Sequence, residues 1–445
     1  MIAHSADVNC PTTTPVPTRP AWRILLPLLM GILTTSLAVG MINTALPRLT
    51  TDLGLSTAAR TWVADIYPLC LAIGIVTAAR LGDSLGRRRL LVAGLALFAI
   101  SSAVAATAPT GAVMITARAV LGIAGAMVVA GVVSTIGAVF DGPARTVANG
   151  CWVAVFGAAT AVGPIVGGLM TGAAGWRSVF WISVPSAVVG LVLIRALVPE
   201  TRAEKAVSWD PPSVIASAAG LGLAVYGIHH VAAEPVAGAV ATVLAALLLA
   251  GFVRRQRRLH DPMIDVTMFA RRDFAVTTLS ILVSSGAAAA CVYLLSIHLQ
   301  ADGRTPLATG IAMLPQAVAT TIGGLSAPRI ARRVHRSNAI RIALATQAWG
   351  LLVVASTPGA TAVGLAAVGV GFGVVGTLGT SALFDSAAPD RVAQVGAVQE
   401  VAFALGAGSG IAFCGTVASL SPQHGFALAL AAAAVTCLIA ACLRD

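Results

Sequence analysis

The sequence predicts an all-α polytopic membrane protein, and three observations carry that expectation. Of 445 residues, 57% are hydrophobic and 10% charged, with a mean hydropathy of +0.90. A soluble domain carries about 25% charged residues, so this chain lacks the polar surface of a water-soluble globule. Disorder is excluded on the same ground, because it needs low hydrophobicity. The apolar residues also fall into runs near the roughly 20 residues that cross a bilayer as a helix. Finally, the basic residues gather in alternate loops, as they do in the cytoplasmic loops of membrane proteins.

Residues 1–23 are polar and rich in Pro and Thr (PTTTPVPTRP), with no apolar core before Ile24. A cleavable signal needs an apolar region of about 7–15 residues and a small-residue cleavage site. The segment therefore reads as a disordered cytoplasmic leader before an uncleaved first span. Apolar runs bounded by charge, Pro or Gly follow at 24–46, 61–79, 90–108, 112–140, 147–170, 178–198 and 211–230. The second set is 235–253, 274–298, 307–327, 340–357, 361–384, 394–418 and 424–442. These runs predict 14 spans.

Alternating the loops fixes an orientation. With the N-terminus inside, Arg48, Arg60, Arg177 and Arg304 fall outside, Arg118 lies within span 4, and the rest of the 28 Lys+Arg are cytoplasmic. That bias places both termini in the cytoplasm. The net charge of +11 thus reads as a membrane signal, and no nucleic-acid partner is expected. The clusters Arg254, Arg255, Arg257, Arg258 and Arg329, Arg332, Arg333, Arg336 read as orientation signals that also contact anionic lipid.

Several chemistries find no footing. A phosphate-binding P-loop needs Gly-Lys followed by Ser or Thr. The single lysine, Lys205, sits between Glu204 and Ala206. Active transport by this chain would draw on an ion gradient or a separate ATPase. The seven cysteines show no CxxC or metal-like spacing and read as small buried hydrophobes. His229 and His230 lack acidic or Cys neighbours and read as interfacial side chains. There is no HExxH and no GxSxG, so no enzyme, metal site or cofactor is expected.

The loop between spans 2 and 3 reads RLGDSLGRRRLL, residues 80–91. Gly82 and Gly86 permit a tight turn, and Asp83 can pair with Arg87, Arg88 or Arg89. Span 4 holds RAVLGIAGA (118–126), with Arg118 and Gly122. An arginine at that depth is costly unless it is paired or faces water. Span 5 holds GAATAVGPIVGG (157–168), in which Pro164 breaks the helix ladder and Gly157, Gly163, Gly167 and Gly168 allow bending and close packing.

These stretches resemble motifs A, B and C of the major facilitator superfamily, C being the antiporter signature. With 14 spans, and with WVADIYPL (62–69), SWDPPSVI (208–215), DPMIDVTMFARRDFA (261–275) and VGAVQEVAFALG (395–406), the chain resembles the drug:proton antiporter branch of QacA/EmrB-like exporters. The resemblance implies a major facilitator fold: six-span bundles over 24–198 and 274–442, joined by 199–273, which carries two inserted helices. It implies a substrate path between the bundles, with access alternating between the two sides of the plasma membrane; the expected state is a monomer.

Carboxylates inside a bilayer are functional candidates by default. Of the 17 acids, Asp65 in span 2 and Glu400 in span 13 lie clearly inside, while Asp385 lies at a span end and reads as solvated. Burial disfavours the charged form of a carboxyl, so such a group can exchange a proton for a cationic drug. The resemblance assigns both acids to that role. It also marks departures. Ala38, Thr320 and Ala404 stand where the relatives carry acids, and Gln399 stands beside Glu400. Fewer carboxylates imply a preference for neutral, monovalent or anionic hydrophobic molecules. The expected function is proton-driven efflux of a drug, antiseptic or secondary metabolite. Two alternatives stand beside it: a dedicated metabolite exporter, importer or uniporter without proton coupling, and a membrane protein that kept the fold without transporting. Trp62, Tyr67, Trp152, Phe156, Tyr293 and Phe403 are candidates to line the path.

Overall fold

The computed structural model describes residues 21–202, 210–230, 234–304, 306–387, 391–419, 421 and 424–444. The expected leader lies almost wholly outside these residues, as do Lys205 and the side chains of Asp65, His229 and His230.

Two groups of helices make up the molecule. The first holds α1 (Ala21–Asp52), α2 (Thr57–Leu85), α3 (Arg87–Ala106), α4 (Gly111–Val139), α5 (Gly142–Ala174), the short α6 (Arg177–Trp181) and α7 (Ser183–Leu197). A hairpin follows, α8 (Pro211–His230) packed on α9 (Pro235–Gln256). The second group holds α10 (Arg272–Ala301), α11 (Pro306–Ala312), α12 (Leu314–Ile330), α13 (Arg336–Ser356), α14 (Thr361–Asp385), α15 (Val392–Ser419) and α16 (Gly425–Cys442).

Local chemistry sets the helix ends. Ser56 and Thr110 accept from the backbone N–H three residues on, at 3.2 and 3.4 Å, and so cap α2 and α4. Gly86 alone separates α2 from α3, with φ +108, a value that favours glycine. Proline explains the internal breaks. Pro315 has no N–H to give Ile311, and the chain passes from α11 to α12 through Met313.

Among the described residues, twelve helical stretches are long and apolar enough to cross a membrane. The sequence predicted 14. The two expected runs outside the twelve are 211–230, where α8 carries a shorter apolar stretch (Pro211–Ala224), and 307–327, which Pro315 divides into α11 and α12. The protein is a membrane-embedded, multi-pass helical bundle. Its apolar side chains face outward as well as inward: Val236, Val240, Val243 and Leu247 of α9 are all exposed, as suits a surface solvated by lipid.

At the end where α1 begins, arginines cross-link the elements. Arg145 of α5 and Arg336 of α13 both pair with Asp385, at 3.3 and 2.7 Å. Asp385 was expected to be solvated. It is exposed, yet it joins the two helix groups. Arg80 of α2 pairs with Asp261 at 2.5 Å. The segment after Asp261 binds α15: Asp265 pairs with Arg391, and its N–H donates to Gln394 Oε1 at 3.0 Å. Met263 and Ile264 between them are buried in the core. The segment from Asp261 to Asp265 therefore straps α2 to α15.

Candidate transport site

The helix groups meet along two seams. On one side α5 packs against α12 and α14. Gly150 lies so close to α12 that a Cβ there would sit 2.5 Å from the Gly324 carbonyl oxygen. Asn149 Nδ2 donates to Ser381 Oγ at 3.2 Å, and Thr321 Oγ1 donates to the Ala154 carbonyl at 3.1 Å. Gly157 of motif C takes part here, against the Thr320 methyl. Thr320 itself is buried and donates to the Gln316 carbonyl at 2.9 Å.

On the other side α2 meets α15, and α8 packs on both. Glu400 lies about two turns inside α15. It is half-buried, in a cavity shared with Leu71 and Ile75 of α2, Leu221 of α8 and Ala404 of its own helix. The cavity volume is 10 Å³, room for about one water. Gln399 Nε2 donates to Glu400 Oε1 at 3.0 Å. The backbone of Asp65 lies in α2, about two turns from its start.

Between the seams stands an aromatic cluster that joins the two groups. Trp152 of α5 stacks on Phe156 at 6.3 Å and meets Phe403 of α15 at 5.7 Å. Phe372 of α14 closes on Phe403 edge to face at 6.0 Å. Trp152 Nε1 is buried without a hydrogen-bond partner among the described residues. Phe372 carried no sequence signal beyond its place in the glycine-rich run 371–380.

The motif residues serve mostly within the first group. Asp83 and Arg87 form a buried pair at 2.9 Å. Gly86 lies against Glu200, which accepts from the Arg88 N–H at 3.1 Å and pairs with Arg88 and Arg89 at 3.6 and 3.7 Å. Gly82 lies against Leu90. Motif A thus locks the α2–α3 turn onto the chain leaving α7, and Arg80, two residues before Gly82, ties α2 to the strap at Asp261. Arg118 is buried and donates to the carbonyls of Val63 and Ala64, the second at 3.2 Å. The reason lies in α2. Pro68 has no N–H to give the Ala64 carbonyl four residues back, and the arginine takes its place. Its guanidinium also lies 5.5 Å from the Tyr67 ring centre. Gly122 sits one turn further on, against Tyr67 and Cys70. In motif C, Gly163 meets Gly40 of α1 at 2.7 Å from a built Cβ, and Pro164 adjoins the same glycine. Gly167 packs on Met41 and Thr44, whereas Gly168 faces open space. Among the remaining aromatics, Trp62 stacks on Tyr226 of α8 at 6.2 Å, and Tyr293 is exposed.

Two packed helix groups thus meet around a carboxylate and an aromatic cluster in a multi-pass membrane protein. Residues 28–411 match the model of the Major Facilitator Superfamily, and the chain belongs to that family. It is 34% identical over 416 residues to the "Multidrug efflux pump LfrA" of Mycolicibacterium smegmatis, covering 92% of this chain and 82% of that protein. It is 28% identical over 408 residues to the "Tetracenomycin C resistance and export protein" of Streptomyces glaucescens, covering 89% and 76%. The fold matches the crystal structure of the human organic anion transporter MFSD10 with a TM-score of 0.71 at 18% identity, over 96% of this chain and all of the other. Family and relatives point to transport rather than catalysis, and the named relatives support drug efflux.

Proposed function

We propose that the protein exports lipophilic organic compounds of at most one positive charge across the plasma membrane, in exchange for protons. Glu400 is the coupling group, with Asp65 as its counterpart in α2. The observation that carries this reading is the place of Glu400. It is a carboxylate in an otherwise apolar cavity where the two helix groups meet, so its charge state and the packing of that seam affect each other. When protonated it suits the apolar seam. When ionised it needs water or a cation. A bound cationic substrate and a bound proton are therefore alternatives, which is the minimum for antiport.

The topology we propose has 14 crossings, with α8 and the α11–α12 pair added to the twelve and both termini in the cytoplasm. The arginine-rich end is then cytoplasmic. Its ion pairs hold that side closed. The halves, 24–198 and 274–442, rock about the α5 seam as a monomer, and the hairpin is carried between them.

Ethidium retention in cells with and without the protein tests this, with a protonophore added midway. The protein should lower retention and the protonophore should restore it. Equal retention in both cells, with the protein present in the membrane, would remove proton-driven cation export. A dedicated exporter of an uncharged or anionic metabolite would then be favoured by Ala38 and Thr320, where the resembling exporters carry acids.

A further inference from the structure

Building on the role proposed for Glu400, we infer that α8 is a door between the bilayer and that carboxylate, and that the cleft behind it takes a lipophilic organic monocation from the lipid phase. The inserted hairpin thereby acquires a function.

The placement of the helices carries the inference. The hairpin lies at the edge of the molecule, where Ile215 of α8 and Val240 and Leu247 of α9 are exposed. These large apolar side chains require lipid around them. On its other side, α8 closes the cavity at Glu400 with Leu221, which is buried. Only the thickness of one helix separates the carboxylate from the surface there. Among the described residues, the contacts of α8 with α2 include the Trp62–Tyr226 stack at 6.2 Å and Gly222 against Ile73. α8 is also tied firmly to α9. Arg255 grips Asp210 through both carboxylate oxygens, at 2.7 and 2.6 Å, and Gly227 lies against Thr242. A hairpin ion-paired within itself, with apolar side chains on the faces it turns to lipid and to the cavity, is built to move as a unit.

The same lining sets the ligand. One carboxylate among leucines, an isoleucine and alanines matches one positive charge on a greasy molecule. A second charge would be buried without a partner, which strongly disfavours binding. Gln399 occupies Oε1, so the ligand has Oε2.

Dicyclohexylcarbodiimide, a neutral lipophilic reagent, tests the door on the purified full chain in liposomes. A protonated carboxyl adds across one C=N bond of the reagent and its proton passes to nitrogen. The acyl group then shifts from oxygen to nitrogen, so nothing leaves and the peptide gains the whole reagent mass. Leu221→Ala should speed labelling of Glu400 several-fold, and Ile215→Ala, on the outer face of α8, should leave it unchanged. A water-soluble carbodiimide should react equally with all three proteins. Tetraphenylphosphonium should slow the lipophilic reaction. Equal labelling of Leu221→Ala and the unaltered protein would overturn the inference. So would equal acceleration by Ile215→Ala, faster reaction with the water-soluble reagent, or no protection by tetraphenylphosphonium. No proton gradient is present, so failure of Glu400 as the coupling group would leave these rates as they are, while a missing Leu221 effect sinks the door alone.

Discussion

On the α5 side the two helix groups touch backbone to backbone, through Gly150 and Gly324, with hydroxyl and amide groups paired across the gap. On the α2 side a carboxylate, a water-sized cavity and a third helix lie between them. The difference is one of tolerance. The first seam has no volume to give, so it suits a pivot. The second has volume and a titratable group, so it suits the place where binding changes the packing. Thr320 fits this division. It is buried against Gly157, in the tight seam.

The largest effect should come from filling the tight seam. In Gly150→Val the new Cβ meets the Gly324 carbonyl, and overpacking of this kind costs about 1–3 kcal/mol. Ethidium efflux should fall to the level of cells lacking the protein, while Gly168→Ala, at a site facing open space, should export normally. If Gly150→Val kept normal efflux, the seam would not be the pivot. A smaller effect should appear in substrate choice. With matched dyes carrying one or two positive charges, the monocation should leave the cell faster. Faster export of the dication would mean that the α2 seam is not a single-carboxylate site. The smallest effect concerns the hairpin beside that seam. Hydrogen bonds from Arg255, then Ser213, pull the Asp210 carboxyl down to about 2. A carboxylate lowered on folding stabilises the protein fully above its ordinary value of about 3.9 and loses that contribution as the pH falls toward 2. Asp210→Asn should therefore lower the melting temperature slightly at pH 6 and not at pH 2, read by intrinsic fluorescence in detergent. The exposed Arg255 and solvent screening keep the effect small.

Much of this was legible in the sequence, for physical reasons that differ from residue to residue. Hydropathy marks a membrane span because lipid selects composition over about 20 residues, and the ends of most runs fell near helix ends. Asp83 and Arg87 are four residues apart, and with Gly86 between them the pairing could be anticipated. Arg118 was recognisable as costly, but its partners were not. They are carbonyls that Pro68 leaves open, a relation between two helices that appears only when a proline and an arginine are placed side by side. The break at Met313 could have been read from Pro315. Composition marked Glu400 as a candidate, yet nothing local tells that α8 covers it, since that contact joins residues 221 and 400. The strap from Asp261 to Asp265 is likewise invisible locally, because its partners Arg80 and Arg391 lie far away in sequence.

The central claim is that a cation and a proton compete at Glu400. It can be read directly from purified protein in weakly buffered detergent solution, by following pH as tetraphenylphosphonium is added near neutrality. The account predicts proton release on binding by the unaltered protein, and binding with no release by Glu400→Gln. Equal release from both proteins would contradict it and move the exchange to another group.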